Sequence, residues 1–369
     1  MELALYCPLC GYYEKKEDTT GKRGDFYTSV SVGPLFGELL AFQFAEWFVE
    51  FAGQSAPPTG GSSPPPPPAG TAWRIVEAGA HDGRLAADIL HWLQRQRSQL
   101  FEQVEYCLVE PSPTRQAWQR ETLSPFAPHV RWLDQLPRPQ LQDSGRKTQD
   151  TGRPAIFFSN ELLDAFPVHR LGWDAKDKCW FEWGVMTEQQ QFLWVRLPVK
   201  HHASGITGKL PPAILDVLPD GFTTEVCPAA ENWWREAATW LPRGKLLTLD
   251  YGLEAAEFFT PQRANGTLRS YHHHKLSDDL LARPGEQDLT AHVNFTAIKH
   301  AGESAGLKAE ACVTQAQFLT GVAAKAWKPE SGFGDWTAER TRQFQTLTHP
   351  DYLGRAFKVL VQSRAPCRP

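Results

Sequence analysis

The stretch Arg74–Leu90, RIVEAGAHDGRLAADIL, constrains this chain more than any other. An apolar run ends in Glu77, a glycine-bearing turn spans Ala78–Gly83, and leucine and alanine then recur at helical spacing. A strand that turns sharply into a helix opens a doubly wound parallel sheet, whose ligands bind beyond the carboxyl ends of the strands. In the dinucleotide version, G-x-G-x-x-G, the middle glycine lets the backbone approach a pyrophosphate seated on the helix N-terminus. Here His81 stands in that place and Asp82 follows it, so a side chain fills the approach and a carboxylate repels phosphate.

A ligand with no phosphate fits better. S-adenosylmethionine (SAM) presents an amino acid, a sulfonium cation and an adenosine, and a turn flanked by Glu77 and Asp82 suits a cation on Coulomb grounds. Glu110 closes the next expected strand, Val104–Glu110, where it can accept hydrogen bonds from both ribose hydroxyls. Dinucleotide sites use the same device, so Glu110 does not separate the cofactors. Three alternatives stay open: an ordinary tight turn with solvated charges, an NAD-dependent oxidoreductase, and a non-catalytic assembly protein with a decayed loop. The absent phosphate glycine argues against the second.

The rest of the chain alternates. Strands are expected at Trp73–Ala78, Val104–Glu110, Val130–Leu133, Ala155–Ser159 and Lys245–Asp250, with GRAFKVLVQSR as a last strand. Helices are expected at Arg84–Arg97 and Thr114–Glu121, and Phe36–Phe51 carries Leu39, Leu40, Phe44, Trp47, Phe48 and Phe51 at near-helical spacing. This order predicts an α/β sheet covered on both faces. Residues 55–71, SAPPTGGSSPPPPPAGT, are low-complexity and cannot pack a core. The expected organisation is an N-terminal lid segment (1–54), that flexible loop (55–71), and a core (72–369). Two insertions interrupt the core, at about 168–226 and about 252–295. The first, with KCWFEWGVM and QFLWVRL, reads as an antiparallel, Trp-rich excursion.

A second constellation is FFSNELLDAFPV, residues 157–168. An apolar strand delivers Asn160 and Glu161 at its carboxyl end, and Asp164 follows one helical turn on, so two carboxylates can face the same way. Paired carboxylates grip a guanidinium bidentately. Asn160 as the cap of a helix with acids in its first turn is the simpler account, and both can hold.

A net charge of −4 gives no global basic field for nucleic acid or anionic lipid. No apolar run approaches the roughly 18 residues of a membrane span. The start, MELALYCPLCGYY, has neither a basic region before an apolar stretch nor an Arg/Ser-rich amphipathic character, so no signal or transit peptide is expected. Seven scattered cysteines predict reduced thiols in a cytoplasm-like compartment.

The blocks ALYCPLCGYY, GDFYTS…FGELLA, VEAGAHDGRLAADIL, LVEPS, SNELLDAFPVHRL, TEVCPAA, LDYG, GTLRSYHHHKL and GEQDLTAHVNF occur in order from residue 4 to about 295. In that combination the chain resembles the MidA-like class I SAM-dependent methyltransferases. That family includes the mitochondrial complex I assembly arginine methyltransferase. The resemblance implies a seven-stranded Rossmann-like methyltransferase sheet with added elements, SAM as cofactor, and a protein substrate, a respiratory complex I subunit, methylated on arginine. It implies cofactor contacts at Glu77, Gly79, Gly83, Glu110 and Asn160, and catalytic carboxylates at Glu161 and Asp164. It also places GDFYTS as a lid over the cleft, with Asp25, Thr28 and Ser29 near cofactor or substrate. Without the resemblance, Thr28 or Ser29 is the cap of a loop. Three positions depart from the family pattern: His81 for a glycine, Val30-Ser31 for Pro-Glu, and Asn294 for Asp. The family also builds an N-terminal helix before the point where this sequence begins.

No metal is expected. Cys7 and Cys10 have zinc-knuckle spacing, but no second Cys/His pair follows at suitable distance. His272–His274 are consecutive and point to different sides of an extended chain; His274 alone falls on a family position. Lys15, Lys16, Lys22 and Arg23 read as a solvated loop. The 14 tryptophans sit in apolar contexts and need no binding role. Oligomeric state is not legible.

Overall fold

The computed structural model describes residues 1–15, 28–53, 73–136, 154–199, 212–272, 275–277 and 279–364. The low-complexity loop at 55–71, Asp25, Lys16, Lys22, Arg23, His273 and His274 lie outside the described residues. The chain divides into two compact units. A core unit holds Tyr27–Leu162, Arg235–Asp250 and Gly302–Pro369; an insert unit holds Met1–Phe26, Leu163–Trp234 and Tyr251–Ala301. Elements are numbered in chain order.

The core unit is built on β1 (Trp73–Ala78), β2 (Val104–Val109), β3 (Val130–Leu133), β4 (Ala155–Asn160), β9 (Gly244–Leu253), β14 (Lys308–Thr314) and β15 (Phe357–Arg364). Their order across the sheet is β14-β15-β9-β4-β1-β2-β3. The β9-β4-β1-β2-β3 stretch is parallel, and β14 pairs antiparallel with β15. Strands buried on both faces must be apolar throughout, and β4, AIFFSN, is buried at every position. The chain runs outward from β1 to β2 and β3, then returns to place β4 on the other side of β1. That reversal puts the switch point between β1 and β4, where a crevice opens beyond the strand ends.

Helices cover the sheet. Helix α2 (Leu35–Gly53) is less amphipathic than its spacing predicts: Leu39, Leu40, Phe44, Trp47, Phe48 and Phe51 are buried, and so are Phe36, Ala41, Phe42 and Ala45. A helix apolar nearly all round is covered on more than one side. Phe44 meets Phe158 of β4 at 5.2 Å on one flank, and Phe42 meets Trp92 at 6.0 Å on the other. Helix α3 (Arg84–Gln96), which follows β1, carries Trp92 and buries Leu85, Ala86, Ile89, Leu90 and Leu93. Helix α4 (Ser98–Phe101) is a single turn, and α5 (Pro113–Thr122) is capped by Ser112, which accepts the Arg115 N–H.

The insert unit carries two antiparallel sheets. β5 (His169–Asp174), β6 (Cys179–Glu188), β7 (Gln191–Pro198) and β8 (Thr223–Val226) form one, ordered β7-β6-β5-β8. Its tryptophans serve packing: Trp173 is buried and meets Trp180 at 5.2 Å. β10 (Arg269–His272), β11 (Lys275–Ser277) and β12 (Asp288–Thr290) form the second. β13 (Val293–Asn294) pairs with Gly252 and Leu253. The N-terminal helix α1 (Glu2–Tyr6) buries Leu5 against Tyr12 and Leu289. Among the described residues no helix is long and apolar enough to cross a membrane.

Candidate cofactor and active site

In the core unit the sequence-predicted residues converge because the strands are in register. Ala78 lies opposite Val109 on one side and Ser159 on the other, so Glu77, Glu110 and Asn160 stand at the same end of three adjacent strands. Glu77 is the last acidic side chain of β1 and is 2% exposed. Its Oε2 accepts the Tyr106 hydroxyl at 2.6 Å. Burial pushes its carboxyl up to about 8, against the Tyr106 hydrogen bond, which works in the opposite direction. A buried acid with so little compensation favours a cation nearby.

The turn after β1 keeps its left-handed backbone despite the histidine. Gly79 has φ +76°, His81 +47° and Gly83 +85°. A Cβ on Gly79 would come within 2.9 Å of the Leu162 side chain, so this position needs glycine for space as well as for conformation. His81 holds its αL geometry through local contacts. Its carbonyl accepts the Gln119 amide at 3.0 Å, and its ring tilts over Trp118 at 6.4 Å. Asp82 turns back onto the start of α3, where Oδ1 accepts the Arg84 N–H at 3.1 Å and Oδ2 pairs with the Arg84 guanidinium at 2.8 Å. Burial raises the Asp82 carboxyl, but its contacts with His81 and Arg84 carry it net below its ordinary value.

Glu110 is 1% exposed. Its Oε1 accepts the Ser112 N–H at 2.9 Å and its Oε2 the Gln119 amide at 3.3 Å. Gln119 thus ties the β1 turn to the β2 carboxylate, a link that residue spacing did not signal. Arg115 also stands 3.9 Å from Oε2; a carboxylate has about four acceptor sites, the chemistry needed for holding ribose hydroxyls.

At the end of β4 the expected helix is absent. Glu161 has φ +51°, and only a single 3₁₀ turn, Leu163–Ala165, follows before Pro167. Proline disfavours helical geometry in the preceding residue, which cuts the run short. Asn160 therefore does not cap a helix; its Nδ2 donates to Glu161 Oε1 at 3.0 Å. Its Oδ1 is buried with no hydrogen-bond partner among the described residues. Glu161 is half-buried and its N–H continues the ladder to the Leu249 carbonyl at 2.9 Å. Leu162 N–H donates to Asp250 Oδ2 at 3.1 Å, and Asp250, at the end of the adjacent β9, is fully buried. Sequence reasoning assigned Asp250 no role.

Thr28 and Ser29 meet this edge of the core unit. The Ser29 N–H donates to Glu161 Oε1 at 3.3 Å, while its buried hydroxyl donates to Gln315 at 3.1 Å. Thr28 and Ser31 cap each other: Thr28 N–H reaches Ser31 Oγ at 3.0 Å and Ser31 N–H reaches Thr28 Oγ1 at 3.1 Å. Asp164 belongs to the insert unit, where it is buried and its carbonyl accepts the Ala291 N–H at 2.9 Å.

These residues fit SAM. Asn160 Oδ1 and the Glu77 carboxyl are buried acceptors suited to an ammonium or sulfonium, and Gly79 allows close approach of the backbone. Among the described residues no group of three His, Cys, Asp or Glu side chains could hold a metal. A doubly wound sheet with this strand order and a buried glutamate near the end of its first strand is that of the class I SAM-binding methyltransferase type. The chain belongs to the family described as "Putative S-adenosyl-L-methionine-dependent methyltransferase", whose model matches residues 44–313.

Relatives agree with that assignment. The chain is similar to a Burkholderia thailandensis protein whose crystal structure holds S-adenosyl-homocysteine, with 31% identity, a TM-score of 0.76, and coverage of 98% of this chain and 86% of that one. It is also similar to the mitochondrial protein arginine methyltransferase NDUFAF7 of Danio rerio, 27% identical over 97% of this chain and 81% of the relative. The Drosophila melanogaster homologue of NDUFAF7 is 27% identical over 98% and 79%. Membership in this family sets aside the NAD-dependent alternative.

Proposed function

We propose that this enzyme methylates an arginine side chain of a protein substrate. The relatives named as protein arginine methyltransferases support the choice of nucleophile. The observation that carries it is Glu161: a half-buried carboxylate at the carboxyl end of β4, oriented by the Ser29 N–H and the Asn160 amide. When bound, SAM supplies an electrophilic methyl on sulfur for in-line displacement, and the main demand on the protein is alignment. A free guanidinium has a pKa above about 12 and a delocalised lone pair. Glu161 orients it, localises its charge, and takes up a proton as the new bond forms. The backbone at φ +51° leaves strand geometry at this residue, and the Ser29 and Asn160 donors converge on one oxygen, Oε1. Asp164, the second carboxylate of the sequence reading, is in the insert unit, so the proposal rests on Glu161.

A respiratory complex I-type subunit as the substrate comes from the family resemblance. The relatives carry mitochondrial names. A cytoplasmic setting is a reading of the sequence alone. The Ser29 N–H on Glu161 supports the part of the lid reading that sets Thr28 and Ser29 beside the substrate.

The test has two arms. Glu161→Gln keeps SAM binding by calorimetry within about twofold and lowers turnover by about 10²-fold or more. Mass spectrometry of complex I subunits from the host with and without the gene reveals a lost arginine methyl mark. Wild-type turnover in the variant, or an unchanged methylation map, overturns the proposal. A non-catalytic descendant of the fold predicts no SAM binding at all, and the retained left-handed turn at His81 speaks against a decayed loop.

A further inference from the structure

The turn Cys7-Pro8-Leu9-Cys10 lies in the insert unit and takes no part in the chemistry above. Helix α1 ends at Cys7, whose carbonyl accepts the N–H of Cys10 at 3.3 Å and of Gly11 at 2.7 Å. This is a hydrogen-bonded four-residue turn with proline at its second position, where the ring presets the backbone. Such a turn holds its end Cα atoms within about 7 Å, and a disulfide spans about 4.4–6.8 Å. Gly11 packs closely on the turn: a Cβ there would sit 2.5 Å from the Cys7 nitrogen.

The two cysteines thus occupy the first and last positions of one closed turn. Cys10 is exposed, Leu9 beside it is 95% exposed, and Cys7 is half-buried. Solvent therefore reaches the pair. Their environments differ: the Leu9 N–H, the Cys10 thiol and the Cys10 N–H hold the Cys7 thiol below its ordinary value, while Cys7 pushes Cys10 up. One cysteine is set up as attacking thiolate and the other as the partner that resolves.

We propose that Cys7 and Cys10 are a reversible redox pair that closes to an intramolecular disulfide by exchange with a small-molecule disulfide. The Cys7 thiolate attacks one sulfur of R–S–S–R and expels a thiolate, leaving Cys7 as the mixed disulfide. Cys10 gives up its proton to solvent, attacks Cys7 Sγ and expels the second thiolate. Two protein thiols lose two electrons, the reagent disulfide gains them, and the two released thiolates take up the two protons. The ring closed is small, so the bond adds little chain-entropy stabilisation, and its exposure keeps it reducible. Its effect is local. It ties the end of α1 to Tyr12 and Tyr13, which pack on Leu5 and donate to Asp288 at 2.9 Å respectively.

The full chain is equilibrated in glutathione buffers of graded oxidation, acid-quenched, alkylated and mapped by mass spectrometry. The expected result is loss of about 2 Da with Cys7 joined to Cys10, reversed by dithiothreitol. Cys10→Ser accumulates one glutathione on Cys7 because nothing resolves it, and Cys7→Ser reacts more slowly at pH 7. The proposal is overturned if both thiols stay alkylatable across the series, or if the bridge maps to other cysteines. Retention of one zinc on Cys7 and Cys10 that blocks exchange overturns it too. Should a variant misfold, the wild-type map alone decides.

Discussion

The Tyr106 hydroxyl donates to Glu77 Oε2 at 2.6 Å, and both side chains are buried between β1 and β2. The phenol's hydrogen bond favours the charged form but does not outweigh burial, so the carboxyl sits at about 8. A cation arriving beside Glu77 favours the ionised form. SAM binding is therefore expected to release a proton at neutral pH and to tighten as pH rises from 6 toward 8, then level off. Calorimetry in buffers of different ionisation enthalpy measures the proton. Tyr106→Phe removes the lowering contact, moves the pH profile upward, and weakens binding several-fold at pH 7. An affinity independent of pH between 6 and 8 contradicts this.

The same carboxyl predicts a stability cost. A folded-state value raised above the unfolded one means that the stabilising, protonated state is complete below about pH 4.5 and is lost as pH rises through about 8. Glu77→Gln is then expected to raise the melting temperature most above pH 8 while abolishing measurable SAM binding. Thermal scans at pH 5 and pH 9 test it: equal shifts at both pH values would place the effect elsewhere.

The glycine loop separates two kinds of strain. Gly79→Ala meets both a positive φ and the Leu162 side chain, and is expected to cost about 1–3 kcal/mol and at least tenfold in SAM affinity. His81→Gly relieves the left-handed penalty, about 1 kcal/mol, and loses only the ring contacts with Trp118 and Asp82. Its stability should change by less than about 1 kcal/mol with SAM affinity retained, as denaturant titration and calorimetry would show.

The strand–turn–helix at residues 74–90 was legible because apolar β-branched residues, a Glu-x-Gly turn and a helical repeat follow one another without interruption. Glu110 and Asn160 were legible for a related reason: each ends an apolar run. Asp250 was not, since LLTLDYG looks the same wherever its strand sits, and only the pairing of Asn160 with Leu249 brings it beside Glu161. β14 escaped because KAEACVT is only partly buried and lacks an apolar run. The alternative reading, a helix capped by Asn160, does not hold because Pro167 and the positive φ of Glu161 compete with local propensity.

Ser29 offers a clean separation of packing from chemistry. Its hydroxyl is spent on Gln315, whose own amide donates to the Leu347 carbonyl at 3.0 Å. Ser29→Ala leaves the buried Gln315 oxygen unpaired and is expected to cost about 1–3 kcal/mol. The backbone N–H to Glu161 survives the substitution, so turnover of the folded protein should fall less than about threefold. A large drop in turnover without loss of stability would instead give the hydroxyl a direct role.

Asp250 reaches the cofactor loop through one intermediary. Its Oδ2 accepts the Leu162 N–H, and the Leu162 side chain fills the space against Gly79 that a Cβ would invade. Removing the carboxylate strands a backbone donor at the end of β4 and frees Leu162 to move into the turn that must admit the ligand's amino-acid end. Asp250→Ala is thus expected to weaken SAM binding about tenfold, whereas Asp250→Asn, which keeps a side-chain oxygen in the same place, restores most of it. The conservative variant is the decisive one. If Asp250→Asn is as damaging as Asp250→Ala, the charge itself acts on the ligand, and Asp250 joins Glu77 as a direct partner of the cation.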